Sequence, residues 1–212
     1  MVNTWGEEFF RIMNEKFFDL RKEKQDRIMG AAMEVFALSG YAHASTDEMV
    51  KLAHISKGLL FHYFGSKLGL YGFLYDYSMR FISLEFQRHV TEKETDFFKL
   101  QIQQLAAWTD AMRQYPYIRL FLMRTQEETD PDALSRIGEK RASFVQLTQE
   151  IADRYDRTPF REDAPVELVS NIVWYVLTGF LTEIDKTEEE WLARYEEGSL
   201  AYLDMLKRVS YR

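Results

Sequence analysis

Residues 45–67 read STDEMVKLAHISKGLLFHYFGSK, and this stretch decides the fold. Ser45-Thr46-Asp47-Glu48 has the spacing of a capping box, in which a hydroxyl and a carboxylate three residues apart satisfy free N–H groups at a helix start. A helix is therefore expected to begin at Ser45 and run through Met49, Val50 and Leu52. Ala53-His54-Ile55-Ser56 reads as a tight turn, with Ser56 as the next N-cap. Lys57 to Phe64 makes about two helical turns, and Gly65-Ser66 breaks it. Ser66 then caps a long helix from Lys67 to about residues 87–90. Two short helices across such a turn have the arithmetic of a helix-turn-helix.

The apolar positions agree with that reading. Met49, Leu52, Ala53 and Ile55 face inward from the first helix and the turn. Leu60 and Phe64, four apart, form the inner face of the second helix. Lys57, Gly58, Leu59, Phe61, His62 and Tyr63 are left on its other faces. Upstream, Ile28, Ala31, Ala32, Val35, Phe36 and Leu38 give a helix that Gly40 stops as a C′ residue. Further upstream, Trp5, Phe9, Ile12, Met13, Phe17 and Leu20 mark an amphipathic helix over residues 1–20. Its polar face is acidic, so it is expected to pack against protein rather than lie on a membrane.

Downstream, helical periodicity places helices at about 94–114, 116–127, 132–155, 164–184 and 187–209. Pro116, Pro131, Pro159 and Pro165 fall at or near the starts and gaps, where helices tolerate them. With 4 Pro and 10 Gly in 212 residues, punctuation is too sparse for a chain of short strands. The expected class is all-α: an extension over 1–20, a helix-turn-helix head over 21–67, and a larger helical body over 68–212.

Composition narrows the chemistry. There is no cysteine, hence no disulfide, thiolate metal site or cysteine nucleophile. The longest apolar run, Ile172–Leu181, is too short to span a bilayer, and no secretory leader opens the chain, so a cytoplasmic location is expected. The net charge is −7, but residues 1–67 hold nine basic and nine acidic residues, so the whole excess lies beyond them. A neutral head can approach a polyanion while an acidic body faces away. His43, His54 and His62 fall on a loop, a turn and a helix with no i, i+4 pair, so no metal site is expected of them, and no cofactor is expected.

From Ile28 to about Tyr71 the sequence resembles the TetR family of bacterial transcriptional regulators. The matching positions are Ile-x-x-Ala-Ala-x-x-x-Phe over 28–36, Gly40-Tyr41, Ser45 to Met49, and Ala53 to Lys67. The resemblance implies a homodimer that reads a palindromic operator in double-stranded DNA, and a repressor released by a small-molecule effector. Ser45 and Thr46 would offer a helix N-terminus to a phosphate. Lys57, Gly58 and Leu59 would reach base edges: Lys57 to guanine, Leu59 to a thymine methyl, Gly58 by letting the backbone come close. His62, Tyr63 and Lys67 would meet phosphates, which fix register without reading sequence. Two positions depart from the family pattern. Phe61 stands where the family commonly has Tyr, which removes a hydroxyl contact. His54 stands where the turn usually has Gly, and a positive φ there would strain it by about 1 kcal/mol.

The resemblance also puts the dimer contact in the last two helices, about 164–184 and 187–209. Val166, Val169, Ile172, Val173, Val176, Leu177, Phe180 and Leu181 make the first of these apolar on more than one face, as burial against both core and partner requires. Leu192, Tyr195, Leu200, Leu203 and Leu206 would supply the other half. Trp108, Phe121, Phe144 and Trp174 are the candidates to line a pocket for a small apolar or aromatic effector, though aromatics at helical spacing also serve as plain core. Two other functions fit a helical chain: an enzyme of unassigned reaction, and a protein-binding module with a vestigial helix-turn-helix. The first lacks a Gly-rich phosphate loop and a His-Glu-x-x-His pair. The second predicts a folded protein indifferent to duplex DNA.

Overall fold

The computed structural model describes residues 16–212, apart from the side chains of Glu139, Phe144 and Ala152. Most of the helix expected over 1–20 thus lies outside the described residues; of its inward positions, Phe17 is fully buried. The described helices are α1 (Lys22–His43), α2 (Thr46–Leu52), α3 (Lys57–Phe64), α4 (Lys67–His89), α5 (Phe97–Gln114), α6 (Ile118–Gln126), α7 (Pro131–Ile137), α8 (Arg141–Ala152), α9 (Val166–Glu183) and α10 (Trp191–Ser210). No strand occurs among the described residues, only an isolated antiparallel bridge between Phe160 and Tyr211. The chain is all-α. None of the described helices is long and apolar enough to cross a membrane.

Serine caps set the short helices. Ser45 Oγ accepts from Glu48 N at 3.4 Å, Ser56 Oγ from Leu59 N at 3.2 Å, and Ser66 Oγ from Gly69 N at 3.0 Å. Each satisfies one of the free donors at its helix start. Gly40 interrupts α1 at φ 68° and ψ 173°, a backbone region costly for any residue with a Cβ. The helix expected over 132–155 is broken. A 3-10 turn at Gly138–Lys140 separates α7 from α8, and the Lys140 carbonyl accepts from Tyr75 Oη at 2.9 Å instead of serving only the helix ladder.

The described residues up to Arg80 pack with Gln114–Ala142 as one unit, and Phe81–Arg113 packs with Ser143–Arg212 as another. The unit holding the helix-turn-helix therefore extends past residue 67. Its core joins Ile28, Met29, Ala32 and Phe36 of α1 to Met49, Leu60, Phe64, Leu70 and Phe121, all nearly inaccessible. Phe17 meets Phe64 and Phe73 at ring distances of 5.1 and 5.5 Å, which ties the start of the described chain onto α3 and α4. Gln25, buried in α1, donates to the carbonyls of Phe18 and Leu20. In the second unit α9 packs on α10, and Phe97, Phe98, Phe160 and Tyr211 gather into an aromatic cluster around the isolated bridge.

Candidate nucleic-acid interface

The turn between α2 and α3 is built by backbone hydrogen bonds. Ile55 N donates to Val50 O at 3.1 Å and His54 N to Lys51 O at 3.3 Å. This six-to-one and five-to-two pair is a Schellman motif, which needs its C′ residue in the left-handed region. His54 is that residue, with φ 52°, and it is the non-glycine residue with positive φ among the described residues. The strain expected at His54 follows from the motif itself. Ala53 O, at the end of α2, accepts from Arg27 Nε at 2.8 Å, which pins the turn to α1. Sequence reasoning missed Arg27, because a contact 26 residues away has no local spacing rule.

Leu60 and Phe64 bury the inner face of α3 as expected. Lys57, Gly58 and His62 are exposed on the outer face, and Leu59 and Phe61 are half-buried. A Cβ built on Gly58 would have no atom within 4 Å, so nothing inside this chain requires glycine there. What that bare backbone leaves is room for another body to come close. Ser45 is exposed and Thr46 half-buried at the start of α2.

Lys57 Nζ lies 2.9 and 3.0 Å from the two carboxylate oxygens of Asp47, across the turn. The pair is open to solvent, with the Lys57 side chain 47% and the Asp47 side chain 75% exposed. Exposed pairs of this kind are worth about 0–1 kcal/mol, so exchanging Asp47 for a base acceptor costs little. Asp47 and Glu48 keep this face from being uniformly basic. Glu34, nearby on α1, has its carboxyl pushed above the usual range by burial and by the charge of Glu48.

Two residues expected at phosphates are engaged inside the protein. Tyr63 is 7% exposed, and its ring stands edge-on to Phe17 at 5.8 Å, so the ring packs inward instead of lying along the outer face. Lys67 Nζ donates to the carbonyls of Tyr41, Ala42 and Ala44 at 2.9, 3.3 and 3.4 Å, and sits 4.6 Å from the Tyr41 ring centroid. A cation at the last carbonyls of a helix opposes the negative end of its dipole. The ammonium thus closes the corner after Gly40. Tyr41 N, on the same corner, donates to Glu128 Oε2 at 3.1 Å.

The effector candidates fall into different surroundings. Phe121 is fully buried in the first unit, with its ring 5.7 Å from Tyr71 and 6.2 Å from Phe36. Trp108 is buried in the second unit, edge-on to Phe86 at 5.6 Å. Both have the surroundings of core residues. Trp174 is 55% exposed on α9 beside Tyr175, so it lines no interior of its own unit. Phe144 lies outside the residues whose side chains are described.

Residues 28–72 match the model of the bacterial regulatory proteins of the tetR family. Over 47 residues the chain is 43% identical to the HTH-type transcriptional regulator QacR of Staphylococcus aureus, a match covering 22% of this chain and 25% of that protein. The match thus spans about a quarter of that relative's length. Among solved structures, the ketosteroid transcriptional regulator KstR2 of Mycobacterium tuberculosis aligns over 92% of this chain and 97% of its own, at 14% identity and a TM-score of 0.64. A TetR family transcriptional regulator from Chloroflexus aurantiacus aligns over 93% of this chain and 98% of its own, at 20% identity and a TM-score of 0.58. At such identities the structural likeness speaks to fold alone.

Proposed function

We propose that the chain, whose residues 28–72 match the tetR family of bacterial regulatory proteins, is a homodimeric DNA-binding transcriptional regulator of that family, a repressor released from a palindromic operator by a small molecule. The observation that carries this reading is the outer face of α3. Lys57 and Gly58 open the helix on its exposed side, His62 follows, and the inner positions Leu60 and Phe64 hold the helix to the core. In this reading Lys57 and Leu59 contact base edges, Gly58 lets the backbone approach, and Ser45, Thr46 and His62 meet phosphates. Lys67 and Tyr63 support the surface from behind, consistent with their internal contacts.

A helix of eight residues spans few base pairs, so a genome-scale address needs two heads on one duplex. Large apolar side chains stand exposed on the last two helices: Leu168, Trp174 and Tyr175 on α9, and Leu200, Tyr202, Met205 and Val209 on α10. Such density on neighbouring helices is unusual for a free surface and supports a second copy as the cover. The effector, an apolar or aromatic small molecule, would act by binding the non-operator conformation more tightly than the operator-bound one.

Selection of bound duplexes from a random pool, with and without candidate ligands, tests the reading. The expected product is a near-palindrome whose binding weakens steeply as salt rises. Lys57→Ala should relax base preference at one position of each half-site, at a cost of about 1–3 kcal/mol. Failure to enrich any duplex at low salt would leave the protein-binding module as the better account.

A further inference from the structure

Outside the DNA-facing surface, three side chains of the second unit converge with the donor set of a metal site. Glu85 and His89 are four apart in the last turns of α4 and so share a face, and α5 brings Asp110 to them. His89 Nε2 lies 2.8 Å from Asp110 Oδ2 and 3.7 Å from Glu85 Oε2. One ligand atom from each residue lies within 4.8 Å of the others. First-row divalent ions hold nitrogen and carboxylate oxygen at about 2.0–2.2 Å, which sets neighbouring donors roughly 3–3.5 Å apart. The observed separations straddle that value, so small side-chain rotations close the set.

Two further features favour a cation. Glu85 Oε2 is buried and accepts no hydrogen bond; Arg88 Nη1 stands 3.8 Å away on a side chain that is 71% exposed. A buried carboxylate oxygen with no hydrogen-bond donor, and with basic nitrogens only at 3.7 and 3.8 Å, is incompletely satisfied, and a metal ion would complete it. Arg113 Nη1, meanwhile, donates to Asp110 Oδ1. That bond fixes the carboxylate and leaves Oδ2 toward His89, as an outer-shell partner does in known metal sites. The side chains of His89 and Asp110 are 24% and 27% exposed, which leaves room for water to complete the coordination.

We propose that Glu85, His89 and Asp110 bind one divalent first-row transition-metal ion. An imidazole with two carboxylates and open positions suits zinc and its neighbours better than calcium or magnesium, which take oxygen donors. The site is independent of the regulator reading, because no DNA contact enters the argument.

Zinc titration of the full chain against a chromogenic chelator, with cobalt absorption as a second readout, tests the proposal. The expected result is one equivalent per chain. His89→Ala should weaken it at least 100-fold and Asp110→Asn at least 10-fold, while Arg113→Ala should weaken it about 10-fold or more without changing the cobalt band shape. His43, His54 and His62 are exposed, so a chain with all three replaced by Ala must retain the equivalent. Should His89→Ala fail to fold, the near-isosteric Glu85→Gln and Asp110→Asn decide the matter. Equal zinc affinity in the wild type and in the variants at 85, 89 and 110 would overturn the site and leave His89 as a plain ion-pair partner of Asp110.

Discussion

Lys67 carries the clearest consequence at the scale of one residue. Its position in the first turn of α4 was legible from the cap at Ser66, but the direction of its ammonium was not. That direction depends on where Gly40 turns the chain, 27 residues earlier, and no local spacing reports such a meeting. With three carbonyls as acceptors, Lys67→Ala is expected to destabilise the head by about 1–2 kcal/mol, the low end for charge-assisted bonds given partial exposure. Urea unfolding measures it. An unchanged midpoint together with a lower salt slope of DNA binding would restore the phosphate role. His54 runs the opposite way. Its need for positive φ was readable as soon as the turn was placed, since four residues between two capped helices leave little choice. His54→Gly should stabilise the protein by about 0.5–1 kcal/mol by removing strain, seen as a higher Tm. A lower Tm would mean that the imidazole makes contacts worth more than the strain.

Elements were most legible where short-range chemistry fixes their ends. Three serine caps, each accepting from the third residue on, delimit α2, α3 and α4, and nothing distant has to be known. The break between α7 and α8 was not legible, because periodicity runs through it; the Tyr75–Lys140 contact across 65 residues accompanies it. Register between α9 and α10 is likewise a matter of packing. A Cβ on Gly198 of α10 would lie 2.4 Å from Cε1 of Phe180 on α9. That ring is itself held by Tyr195 and Tyr202 at 5.7 and 6.0 Å. Alanine usually gains about 1 kcal/mol over glycine within a helix, whereas overpacking costs about 1–3 kcal/mol. Gly198→Ala is therefore expected to lower thermal stability on balance. A variant of equal or higher Tm would show that Phe180 can move aside at no cost.

At the scale of the whole molecule, the sequence showed which helices are apolar but not which of their residues stay uncovered. Val166, Val169, Val173, Leu177 and Leu181 form the buried stripe of α9, and the spacing alone could have made every apolar residue core. The structure separates the two sets: Leu168 and Tyr175 on α9, and Tyr202, Met205 and Val209 on α10, remain more than a third exposed. On α10 these last three follow i, i+3, i+7 spacing, a single stripe down one side of the helix. A stripe that only this chain's core required would be buried in this chain, so its exposure bears on association rather than on folding. Met205→Glu places a charge on the stripe at a position 53% exposed. Folding stability of the separated chain should change by no more than about 0.5 kcal/mol, while the proposed dimer should weaken at least tenfold, since a charge desolvated at an apolar contact finds no partner. Sedimentation across a dilution series reads the second effect and circular dichroism the first. On the proposed reading, operator affinity should fall with the dimer, because a lone head would lack the second half-site. If Met205→Glu sediments as the wild type does, the stripe is not the seam of the proposed dimer.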